Sequence, residues 1–192
     1  MNTRAPKLGA EDAERVFNDA MMHFERGAFD EAAQLCRQLQ TSFPRNASVL
    51  QLFGLVQLKR GLADDARAKL DRAVELAPDD PELMANYGAV LADTGRPSLA
   101  AEMFQRARAL APREPRIVAN LLIALRNAGR LAEAATTALE ATDQFPRDAA
   151  LLNQHAEIEE IRGRTDLVLI ASRRLAALAP NDMRAQARLG WV

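Results

Sequence analysis

Two histidines, one cysteine and a cluster of glutamates are the side chains in this chain whose types could support chemistry. His23 and His155 stand far apart, and neither has a second histidine or a cysteine at the short spacing of paired metal ligands. Both read as packed structural histidines. Cys36 is the sole cysteine, so no internal disulfide can form, and it reads as a buried thiol packing as a small hydrophobe. Glu157, Glu159 and Glu160 could suggest paired carboxylates for acid–base work. On a helix the three project in different directions, with Arg162 and Arg164 nearby, and they read as a solvated helix face. The glycines stand singly, with no phosphate-cradling loop among them. The expectation for this segment is no catalytic residue, no metal and no cofactor.

The elements that must carry these residues are helical. Hydrophobic residues make up 48% of the 192 positions but aromatics only 5%, and much of the apolar share is alanine, the best helix former. Formal net charge is -1 and spread along the chain, without the basic stripe that nucleic-acid binders carry. No apolar run approaches the ~18 residues of a membrane span, and the first thirty residues hold no signal-peptide core. A cytoplasmic protein is expected, with no membrane and no nucleic acid among its partners. The alanine- and arginine-rich composition points to a bacterial source.

A step of 34 residues organises everything else. Gly27, Gly61, Gly95, Gly129 and Gly163 form one register, and Pro44, Pro78, Pro112, Pro146 and Pro180 a second. Ala32, Ala66, Ala100 and Ala134 form a third, which Val168 continues. A fixed period of this length means a repeat architecture. Each glycine closes one helix in the left-handed conformation, and each proline stops the next. The resulting helices run over about 12–26 with 29–42, 47–60 with 63–76, 81–94 with 97–110, 115–128 with 131–144, and 149–162 with 165–178. Asp80 before Pro81 supplies an acceptor for free helix N–H groups.

This pattern resembles the tetratricopeptide repeat (TPR) family over residues 13–182, as five repeats: 13–46, 47–80, 81–114, 115–148 and 149–182. The large residue at the fourth place of each repeat is Val16, Leu50, Met84, Val118 or Leu152. The small residue at the eighth is Ala20, Gly54, Gly88 or Ala156, but Leu122 in the fourth repeat, where Ala138 stands in for the bulk of Phe104 and compensates the volume. The resemblance implies an all-α, right-handed solenoid. Residues 1–12 form a disordered lead. Residues 183–192 begin a sixth repeat or a capping helix, with Leu189 and Gly190 at its seventh and eighth places. That unfinished unit suggests the N-terminal part of a longer protein, with Trp191 available for self-association.

In this family the first helix of each repeat lines a concave groove. The sixth place reads Asn18, Leu52, Asn86, Asn120 and Gln154. An amide offers a donor and an acceptor together, matching the backbone of an extended peptide. The row is similar to the asparagine ladder of the protein O-GlcNAc transferase superhelix, with Leu52 as a gap and Gln154 as a longer substitute. A packing role for these amides is the competing reading. At the N-terminal end Phe17, Met21, Phe24, Leu55 and Leu58 would form an apolar floor, beside Gln51. The three at helical spacing on the first helix read equally well as core. Ile123 also lines the groove, and towards the other end Arg126, Asn153, Glu157 and Glu160 make it polar and charged. The carboxylate clamp of chaperone-binding members needs Lys and Asn where this chain has Phe17, Met21, Gln51 and Leu55, so that reading falls away.

The function implied is capture of a protein or peptide segment in the groove. The alternative is recruitment of a substrate protein to a catalytic domain after residue 192, a flagellin-type glycosyltransferase before a sulfotransferase or hydroxylase.

Overall fold

The structure, a computed structural model, describes residues 8–190; the expected disordered lead falls largely outside them, as do Trp191 and Val192. Among the described residues there are eleven α-helices and no strand. They are α1 (Ala10–Glu25), α2 (Phe29–Ser42), α3 (Ala47–Lys59), α4 (Ala63–Leu76), α5 (Pro81–Asp93), α6 (Pro97–Leu110), α7 (Pro115–Asn127), α8 (Leu131–Gln144), α9 (Ala149–Ile161), α10 (Thr165–Leu178) and α11 (Met183–Gly190). These spans follow the 34-residue period closely. The one difference at the start is that α1 begins at Ala10, ahead of Asp12, with the Ala13 N–H bonded to the Gly9 carbonyl at 2.9 Å.

The punctuation works as the residue types dictate. Gly27, Gly61, Gly95, Gly129 and Gly163 are the positive-φ glycines among the described residues, at 77°, 80°, 74°, 73° and 71°. Each ends the first helix of a pair, where an L side chain would be strained. A second register marks the starts of first helices. Asn46, Asp80, Asp148 and Asp182 accept from backbone N–H groups of Val49, Leu83, Leu151 and Ala185 at 3.1, 3.0, 3.0 and 2.8 Å. Glu114 holds the same place in α7 without a side-chain cap bond.

The chain forms two compact units that divide inside α5, after Val90. In the first, α1 packs on α2, α2 on α3, and α3 on α4. One core cluster joins Ala20, Ala32, Ala33, Cys36, Leu52, Phe53 and Val56. Gly54 is what lets α3 and α4 approach. A Cβ there would lie 2.7 Å from Leu70 Cγ and 3.1 Å from the Ala66 carbonyl oxygen. In the second unit α6 packs on α7, α7 on α8 and α9, α9 on α10, and α10 on α11. Leu122 and Ala138, the large and small partners of the fourth repeat, are both fully buried on neighbouring helices. Leu152, Leu175 and Ala185 form the cluster that seats α11.

Candidate functional site: the faces of the first helices

In the first unit the sequence row is interrupted by burial. Asn18 is exposed and Asn86 half-buried, but Leu52 is 3% exposed and belongs to the core cluster. Phe17 and Phe24 are half-buried and pack against that cluster, Phe17 also against Val16, Leu39 and Val49. The Phe24 ring lies 5.8 Å from that of Phe29, tilted by 58°. Much of the expected apolar floor is therefore spent on the core. Met21 remains exposed, with Gln51, Leu55 and Leu58 half-buried. A hollow of about 410 Å³ opens between the start of α1, the end of α2 and the start of α3, lined by Phe17, Leu39, Phe43 and Val49.

In the second unit the corresponding helices are α7, α9 and α11. Asn120 and Gln154 occupy matching places on the touching helices α7 and α9, and both are half-buried, beside an exposed Ile123. The Gln154 Oε1 atom is buried and finds no donor among the described residues. An unpaired buried acceptor costs about 1–3 kcal/mol, so this amide is poised to gain from a new N–H.

Next to it lies a charged network that joins residues the sequence analysis named with two arginines it did not. Arg126 Nη1 meets Glu157 Oε2 at 2.7 Å, and Asn153 Nδ2 donates to Glu157 Oε1 at 2.8 Å. Arg188 Nη1 donates to Asn153 Oδ1 at 3.0 Å while its Nε pairs with Glu160 Oε2 at 3.2 Å. Arg184 Nη1 approaches Glu157 Oε1 at 3.3 Å. Asn153, Glu157 and Arg126, expected to face a ligand, thus already satisfy one another. Arg188 stands 34 residues after Gln154, so extending the sixth-place register by one step would have found it.

Two readings of chemistry-bearing residues need correction or completion. Glu159 is no solvated carboxylate: it is 2% exposed, and Arg162 Nη1 reaches both its oxygens at 2.9 and 3.0 Å. Helix α9 turns Glu157 and Glu160 to one side and Glu159 to the packed side, which the sequence spacing alone left open. His155 is buried beside it. Thr142 Oγ1 donates to the Leu139 carbonyl at 3.1 Å, leaving its lone pairs for the Nδ1–H of His155 at 3.3 Å. Burial holds the His155 pKa below the usual imidazole value; Glu159 and Asp143 pull it up, and Arg174 pulls it down. Cys36 is fully buried, and burial pushes its thiol up to about 12 against the pull of Arg37, so it packs rather than reacts. Among the described residues no group of His, Cys, Asp and Glu could hold a metal ion. No helix among them is long and apolar enough to cross a membrane.

Comparison with known proteins places this arrangement. Residues 23–86 match the family described as Tetratricopeptide repeat. No curated protein matches the chain by sequence. Among solved structures, YrrB, described as a TPR protein with an unusual peptide-binding site, is 20% identical, with a TM-score of 0.76 over 94% of this chain and 93% of its own. A MamA structure is 18% identical, with a TM-score of 0.78 over 92% of this chain and 96% of its own. MamA 41-end from Desulfovibrio magneticus RS-1 is also 18% identical, with a TM-score of 0.76 over 91% and 98%. At these identities the likeness is one of fold, an all-α solenoid. The match over residues 23–86, the 34-residue registers and this fold make the chain similar to tetratricopeptide repeat proteins.

Proposed function

We propose that this chain is a protein-interaction module that holds a segment of a partner protein along the faces of its first helices. In the second unit the segment lies across Asn120 and Gln154, with an apolar side chain on Ile123. The observation that carries the reading is the Gln154 amide, whose buried Oε1 has no donor among the described residues. A rotation of that side chain toward a peptide N–H would satisfy the acceptor, and Asn120 offers the same pair of groups one repeat earlier. A backbone held in this way constrains sequence little, and Ile123 adds an apolar preference. The solved TPR structure of YrrB, with its peptide-binding site, supports the class of ligand.

The experiment is a display selection of random peptides on the whole chain, followed by calorimetry of the selected peptides. The paired substitution Asn120→Ala, Gln154→Ala should weaken binding at least about tenfold, equivalent to about 1.4 kcal/mol. Arg173→Ala on α10, an exposed position on a second helix, should leave it unchanged. Selected peptides that bind the paired variant as well as the unaltered chain would reject the reading.

A further inference from the structure

The first-helix faces of the second unit carry more positive than negative charge. Besides Arg126, Arg184 and Arg188 they bear Arg116 at the exposed second place of α7; the acids opposite them are Glu157 and Glu160. The surplus is not uniform. Arg126 and Arg188 are held within the network, their side chains 29% and 10% exposed. Arg184 is 71% exposed and touches Glu157 from outside, sharing that carboxylate with three other groups. It also edges a hollow of about 480 Å³ between the starts of α9 and α11. The small residues Ala149 and Ala150, the Asn153 and Asn181 amides and Met183 also line that hollow. The acid lining it, Asp182, is occupied in capping α11, its Oδ1 accepting from the Ala185 N–H at 2.8 Å.

We propose that the partner segment is acidic where it passes α11, its carboxylates entering this hollow and pairing with Arg184. The inference rests on the groove reading above and names the chemistry of the ligand at one end of it. Charge complementarity is what selects this occupant. A basic segment would meet Arg116 and Arg184 with only the already paired Glu157 and Glu160 to receive it. An acidic one finds the Arg184 guanidinium, which shares one partner carboxylate, and the exposed Asn181 amide, whose N–H groups suit carboxylate oxygens. Because Arg184 is exposed, the attraction is screened by salt, so binding is tightest at low ionic strength.

The test uses the whole chain and fluorescein-labelled decaglutamate and decalysine, read by fluorescence anisotropy. Decaglutamate should bind saturably and decalysine should not. Arg184→Glu should weaken decaglutamate at least about tenfold, as should about 0.5 M sodium chloride. Arg173→Glu makes the same change in net charge on α10 and should have little effect. Circular dichroism confirms that each variant is folded. Absent decaglutamate binding, equal binding of both peptides, or equal losses in Arg184→Glu and Arg173→Glu would overturn the proposal. The two readings fail separately. Display-selected peptides that depend on Asn120 and Gln154 but carry no acidic excess leave the groove reading standing and remove this one.

Discussion

Arg188 Nη1 and Asn153 Oδ1 lie 3.0 Å apart, joining α11 to α9 through a guanidinium where the preceding two repeats place amides. The Arg188 side chain is 10% exposed and also pairs with Glu160 at 3.2 Å. It therefore turns the expected ligand-facing residues Asn153 and Glu160 into supports for the last helix.

Replacing Arg188 by methionine keeps the stem's packing and removes those bonds. It should cost about 1–3 kcal/mol, because a half-buried amide oxygen loses its donor. The loss should be local. Amide hydrogen exchange ought to speed up in α11 and the start of α9, while α6 and α7 keep their protection. Unchanged protection of α11 would show that Leu152, Leu175 and Ala185 alone seat it.

Gly54 is a contact between helices rather than a turn. A Cβ added there would meet Leu70 Cγ at 2.7 Å, and the Ala66 carbonyl oxygen limits the room to shift. Gly54→Ala and Leu70→Ala should therefore be coupled by at least about 1 kcal/mol in a double-mutant cycle, since trimming Leu70 relieves the clash. Gly61→Ala has a different cause of strain, a φ of 80° with nothing within 4 Å of the new Cβ. It should cost roughly 1–2 kcal/mol and be additive with Leu70→Ala. Urea unfolding of the unaltered chain and the five variants decides it, and additivity at Gly54 would remove the close-approach explanation.

His155 sets a pH dependence whose sign follows from burial. Its folded pKa lies below the ordinary imidazole value of 6.5, so the unfolded chain takes up the proton first. The stabilisation is complete above about 6.5 and is lost as pH falls through the folded value. The groups facing the ring are Thr142 and Asp143 of α8, Glu159 of its own helix, and Arg174 of α10. The urea midpoint of the unaltered chain should drop between about pH 7.5 and 5.5 more steeply than that of His155→Gln. Equal slopes would assign the effect to other groups.

The helices were legible in the sequence because their signals are local. A glycine that must take positive φ, a proline that must end a helix and an asparagine or aspartate that caps the next one each act within a few residues of the chain. Repeated at 34 residues, they determined the positions and lengths of the helices from Phe29 onward.

What each first-helix side chain faces was decided by packing alone. Leu52 and Asn120 share a place in the register, yet one is core and the other half-open, because burial depends on the neighbouring helices. Glu157, Glu159 and Glu160 are near neighbours in sequence, and only the stacking of α8, α10 and α11 around α9 makes one buried and two part of a surface network. The Arg188 bonds span 28 and 35 residues. Such pairs form when two helices come to rest against each other, and their geometry is a property of the stacked chain rather than of any stretch within it.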